Sequence, residues 1–170
     1  MISAPEALLL ALLAASAVTD IRCRLIYDAL TFPAMIAGIV FSLSGGPESL
    51  AWSVSGLALG LLVLYPFYRI GGMGLGDLKL MGAVGSLGGL PLLVSASVDT
   101  ALAGGIMAMI LMARQGQASV ILRRSPQVIR ALFSRGGKVR FPASSSQGTI
   151  PYGVAICLGT IFAWLTRWPW

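Results

Sequence analysis

Asp20 closes a long apolar run, in Val18-Thr19-Asp20-Ile21-Arg22-Cys23-Arg24. Asp77 follows a glycine-rich stretch, in Gly72-Met73-Gly74-Leu75-Gly76-Asp77-Leu78-Lys79-Leu80. A carboxylate at the margin of strongly apolar sequence costs free energy to hold there, so its default reading is functional. The chain contains no histidine, which removes Ser-His-Asp and Cys-His catalysis and leaves Cys23 as a small residue near the site rather than a nucleophile. What remains is acid/base hydrolysis by two aspartates. One carboxylate activates a water; the other, protonated, polarises a carbonyl and then protonates the leaving group. Two close carboxylates do not readily both ionise, so such a pair shares one proton near neutral pH. Cys23 and Cys157 are far apart, with no C-x-x-C and no histidine, which rules out the usual zinc spacings and gives no evidence of a disulfide framework. Hydrolysis by two aspartates requires no metal or organic cofactor.

Each acid also has a purely structural reading. Asp77 suits the N-cap of a following helix. Asp20 has Arg22, Arg24 and Lys79 as ion-pair partners at the headgroup level, and Asp28 suits a turn or a helix cap. Gly74 and Gly76 let the backbone take unusual conformations and let another segment approach closely, which suits the wall of a cleft.

The elements that must position these residues follow from composition. The chain is 56% hydrophobic and only 11% charged, with mean hydropathy +0.86. A soluble domain carries roughly 25% charge, so lipid is the solvent for most of this surface. The predicted class is an all-α, polytopic membrane protein forming a single domain over 1–170, with six spans near 2–19, 29–44, 50–69, 78–95, 99–113 and 150–166. Gly45-Gly46-Pro47-Glu48 separates the second and third spans, and 95–99 the fourth and fifth. An unbroken helix over 78–113 would be about 54 Å long, too much for one crossing. Ala15-Ser16-Ala17 resembles a signal-peptide cleavage site, but no Lys or Arg precedes Arg22, so the first run reads as a retained helix.

With the N-terminus outside, eleven of the twelve basic residues fall on the cytoplasmic side, leaving only Arg167 opposite. Glu6, Glu48 and Asp99 fall outside. This is the positive-inside pattern, so the net charge of +6 is a topology signal and not a nucleic-acid footprint. Two crossings separate Asp20 from Asp77, which puts both carboxylates at the cytoplasmic boundary, Asp20 ending the first helix and Asp77 opening the fourth.

Asp20-Ile21-Arg22-Cys23-Arg24-Leu25-Ile26 with Leu30-Thr31, then Gly74-Leu75-Gly76-Asp77-Leu78-Lys79-Leu80, then Ile150-Pro151-Tyr152-Gly153-Val154-Ala155-Ile156, together resemble the prepilin peptidase family, membrane aspartic endopeptidases of the GxGD type. The small size and Pro151-Tyr152-Gly153 resemble its short TadV/CpaA branch, associated with Flp-type pili. Tyr27-Asp28 stands where the family often has Pro-Asn. The resemblance implies Asp20 and Asp77 as catalytic residues, with Gly74, Gly76, Lys79, Arg22, Arg24, Pro151, Tyr152 and Gly153 shaping or supporting the cleft. It implies a bacterial inner-membrane enzyme that cuts the leader from a prepilin or pseudopilin precursor on the cytoplasmic side. The larger members carry an N-terminal region linked to N-methylation, and nothing of that kind fits before Asp20.

The 114–149 segment carries seven Lys or Arg and no acid. Ser125-Pro126 suits a helix start and Gly136-Gly137 a stop. Ile129, Leu132 and Phe133 share a face, so a short helix lying on anionic lipid is expected within this basic cytoplasmic loop. A small transporter using the aspartates as a proton relay, or a structural subunit of pilus assembly, are the competing readings. Against the relay, both Asp20 and Asp77 sit at one edge of the membrane.

Overall fold

The computed structural model describes residues 3–69, 73–115 and 152–166. All regular structure among them is helical: α1 (Ala4–Cys23), α2 (Asp28–Ser44), α3 (Gly46–Arg69), α4 (Leu75–Gln115) and α5 (Tyr152–Thr166). Ala4–Cys23, Gly46–Arg69 and Leu75–Ile110 are each long and apolar enough to cross a membrane, and α2 and α5 are shorter apolar helices. The exterior is apolar, with Ile36, Leu62, Leu102 and Leu165 each more than 60% exposed, a surface suited to lipid and not to water. The chain is a helical membrane protein. The 114–149 segment with its expected surface helix, and Pro151, lie outside the described residues.

The interior combines large apolar side chains with small hydroxyls. Leu9, Leu13, Leu80, Met81, Leu93 and Ile156 are fully buried alongside Ser16, Thr31, Ser86 and Thr160. Association of helices in lipid depends on close packing and interhelical hydrogen bonds. Ser53 Oγ donates to the Ser86 carbonyl and Ser86 Oγ to the Met35 carbonyl, each at 2.7 Å, joining α2, α3 and α4. Cys157 Sγ donates to the Leu13 carbonyl at 3.1 Å, joining α5 to α1.

α4 is two helical arms, 75–88 and 90–115, meeting at Gly89, whose φ of 73° and ψ of 177° are not helical. That region is essentially restricted to glycine. Met81 lines one cavity together with Ser97 and Thr100; in a continuous helix 81 and 97 would be about 24 Å apart. The chain therefore doubles back. The reversal expected from length is present, but at Gly89 and not at 95–99. Pro91 suits the first turn of the returning arm, where its missing N–H costs nothing. Ser95 and Ser97, which read as turn residues, instead donate to the carbonyls of Pro91 at 3.4 Å and Leu93 at 2.7 Å, an i−4 bond that carries a serine through an apolar helix. Asp99 consequently lies half-buried inside the returning arm, and not in an exterior turn.

Two further boundaries shift. α1 runs on to Cys23, so Asp20 lies within its last turn. α3 starts at Gly46 (φ 90°), leaving a one-residue connection after α2. The helices alternate in direction between two ends. Gly45 and Glu48 share a 410 Å³ cavity with Gly88 and Gly89 at one end, and Ser3 and Trp164 line another beside Gly88. The last turn of α1 and the first turns of α2, α4 and α5 gather at the opposite end.

Candidate active site

Asp20 is 5% exposed. Its Oδ2 accepts the Val154 amide at 3.1 Å, and the Gly153 amide also points at the carboxylate. Both amides belong to the first turn of α5, whose free N–H groups and dipole favour an anion. Approach this close requires Gly153: a Cβ there would stand 2.7 Å from Asp20 Oδ2. α1 ends on Arg24, which is left-handed (φ 51°, ψ 36°) and returns its N–H to the Asp20 carbonyl at 2.9 Å. The Arg24 charge acts on the Asp20 carboxylate.

Asp77 sits in the first turn of α4, half-buried. Its Oδ2 accepts the Gly74 amide at 3.2 Å. The side chain thus reaches back to the residue before the helix, as the acid of a capping box does; Asp77 is inside the helix and is not its N-cap. The Asp20 charge acts on Asp77.

Ile26 joins the two sites. It is 7% exposed in the short link between α1 and α2. A Cβ on Gly76, beside Asp77, would meet Ile26 Cβ at 2.9 Å, and one on Gly153, beside Asp20, would meet Ile26 Cδ1 at 2.9 Å. One apolar side chain therefore seats against both glycines, and this fixes how the two acidic segments approach. Tyr152 opens α5 next to Gly153. It feels the charge of Asp77, and its hydroxyl lies 3.1 Å from where a Cβ on Gly104 would be.

The remaining expected residues divide. Lys79 does not reach Asp20; its Nζ lies 2.8 Å from both oxygens of Asp28 and 4.8 Å from the centre of the Phe32 ring. It ties the first turn of α4 to the first turn of α2, and Asp28 is its partner there while Tyr27 takes the N-cap position. Arg22 is exposed in the last turn of α1, with no hydrogen bond or ion pair among the described residues. Gly74, Gly76, Arg24, Tyr152 and Gly153 border the carboxylates. Ile26 and the Val154 amide complete the site. No polar signal marks Ile26, which the sequence offers only as the end of the Asp20–Ile26 motif beside the equally apolar Leu25, and a backbone donor carries no side-chain signature. Cys23 is exposed and Cys157 buried.

The model of the family described as Type IV leader peptidase family matches residues 7–111. The chain is 37% identical over 86 residues to a prepilin leader peptidase/N-methyltransferase of Klebsiella pneumoniae, covering 46% of this chain and 38% of that protein. It is 36% identical over 95 residues to a protein of the same description from Aeromonas hydrophila, covering 52% of this chain and 33% of that one. The matched segment thus spans about a third of the length of these relatives. No solved structure matches the chain.

Proposed function

The chain belongs to the type IV leader peptidase family, and on that premise we propose that it is a membrane aspartic endopeptidase that removes the leader of a prepilin-like precursor, with Asp20 and Asp77 as its catalytic pair. The observation that carries this reading is convergence. Acids 57 positions apart (77 − 20) come to one end of the helices on either side of Ile26, near enough for the Asp20 charge to act on Asp77. One carboxylate takes a proton from water as it attacks the scissile carbonyl; the other, protonated, hydrogen-bonds the carbonyl oxygen and then protonates the departing amine. The Gly74, Gly153 and Val154 amides hold the two side chains in place, so little reorganisation accompanies the chemistry. The reading needs no metal and no organic cofactor.

The finer reading places the pair at the cytoplasmic face of a bacterial inner membrane, with six crossings and the N-terminus outside; the distribution of Lys and Arg supports it. The Pro151-Tyr152-Gly153 segment supports the TadV/CpaA branch and a Flp-type substrate. The 114–149 segment is proposed to rest on anionic lipid.

The test is cleavage of a prepilin precursor by membranes containing the protein. Asp20→Asn and Asp77→Asn should each abolish cleavage while the protein still accumulates; processing by either variant would sink the assignment. Asp99 gives the proton-relay reading a specific residue, since it lies inside the returning arm. Asp99→Asn should cleave normally if the protein is a peptidase. A relay would instead lose its proton flux in that variant and show no leader cleavage in the parent protein.

A further inference from the structure

An open groove of about 620 Å³ lies between α1 and the start of α2. Ala14, Ala15, Val18 and Thr19 form one wall, and Tyr27, Ala29 and Leu30 the other. The lining surface is apolar; the Thr19 hydroxyl donates to the Ser16 carbonyl at 3.0 Å, inside its own helix. The wall in α1 belongs to a helix long and apolar enough to cross a membrane. The head of the groove, at the last turn of α1, is charged. Helix residues three and four apart share a face, so Arg22 stands one turn beyond Val18 and Thr19 on the groove side. Asp20 is turned away, toward the Val154 amide of α5. Asp28, next to Tyr27, is matched by Lys79 at 2.8 Å, and the Arg24 charge acts on Asp20. Arg22 is exposed and has no counter-ion among the described residues. The Tyr27 hydroxyl interacts with the Cys23 thiol, which holds its ring against the last turn of α1.

We propose that this groove binds one anionic phospholipid, with an acyl chain along Ala14, Ala15 and Val18 and the phosphate on Arg22. The order of chemistry along the groove decides the occupant. Apolar walls that end at an unmatched guanidinium complement an acyl chain that ends at a phosphate. Arginine binds phosphate through paired N–H donors, and its stem lies on apolar surface while its head stays in the polar layer. Tyrosine suits the same headgroup level. A helix of another protein seated here would cover the walls and give Arg22 nothing to bind; an anionic lipid answers both features. The site is separate from the 114–149 segment and does not depend on the peptidase reading. Val18 and Thr19 share the turn that leads into Asp20, so a bound lipid braces the end of α1 and stabilises the folded chain.

The test uses the full chain purified in neutral detergent and titrated with phosphatidylglycerol, or with phosphatidylcholine carrying the same acyl chains. Native mass spectrometry counts the lipids retained, and the thermal midpoint reports stabilisation. The expected result is one tightly retained phosphatidylglycerol that raises the midpoint, with phosphatidylcholine held more weakly. Arg22→Gln should weaken phosphatidylglycerol about tenfold, the scale of one charge-assisted contact, and leave phosphatidylcholine unchanged. Ala14→Trp, at an exposed position, should fill the groove and displace both lipids; Val18→Trp repeats this test should the first variant not accumulate. Neutralising Arg123, Arg124 and Arg130 together should leave the tight lipid in place. Loss of the lipid in that triple variant, or its retention in Arg22→Gln and the groove-filling variants alike, would overturn the site. So would a dimer that the groove-filling variants convert to monomer, since the occupant would then be a second copy of the chain. Loss of leader cleavage in those variants with lipid binding unchanged would assign the groove to the precursor's apolar segment and equally overturn it.

Discussion

Asp20 and Asp77 are held by backbone amides, so their geometry depends on glycines with no chemistry of their own. Gly153 is helical, and alanine there is favourable for the backbone. Its added methyl would nonetheless stand 2.7 Å from Asp20 Oδ2 and 2.9 Å from Ile26 Cδ1. Displacing a reacting group by about 1 Å costs on the order of 100-fold in rate. Gly153→Ala should therefore accumulate and fold but lose most of its leader cleavage; a fully active variant would show that Asp20 does not need this seat. The pair should also titrate together. With one proton shared between two carboxylates, kcat/KM follows a bell-shaped pH dependence whose limbs belong to the pair and not to either residue. Cleavage measured from acid to alkaline pH with chelator present checks this, and a single rising limb, or loss on chelation, would contradict it.

At the scale of the helix, the Gly89 reversal and the Lys79–Asp28 tie carry opposite expectations. A Cβ at Gly89 meets nothing nearer than Trp52 Cβ at 3.5 Å, so Gly89→Ala suffers from backbone strain and not from a clash. That strain is about 2 kcal/mol, enough to lower the thermal unfolding midpoint in detergent by several degrees. An unchanged midpoint would mean the turn accepts another conformation. The Lys79–Asp28 pair is short, but the Asp28 side chain is 60% exposed. Exposed pairs contribute about 0.2–1 kcal/mol, so Asp28→Asn should keep substantial activity. A double-mutant cycle with Lys79→Met should return a coupling in that range; a much larger coupling would make the tie part of the catalytic frame.

For the molecule as a whole, the prediction concerns sidedness. Glu48 shares a cavity with Gly88 and Gly89, so these positions belong to one end and the aspartates to the other. Single cysteines introduced at Glu48 and Gly88 should label from outside the cell, and one at Arg124 from inside. Labelling of Glu48 and Arg124 from the same face would refute the alternating arrangement and the cytoplasmic site with it.

Low charge and long apolar runs determined by themselves that this chain is a helical membrane protein, because hydrocarbon demands apolar side chains and internally satisfied backbone whatever the tertiary contacts. The two acids stood out for the same reason. Sequence also required a reversal within 78–113, since one helix of that length exceeds the bilayer. Its location was decided by conformations that side-chain polarity does not report. Ser95 and Asp99 are polar yet helical, while Gly89 turns because glycine alone accepts its φ and ψ. The partners of the acids were decided the same way. Lys79, two residues from Asp77, pairs with Asp28, whereas Asp20 is met by amides 133 and 134 positions away (153 − 20 and 154 − 20). Such contacts arise only when helix ends are packed, because an amide carries no mark of its partner until a fold brings the two together.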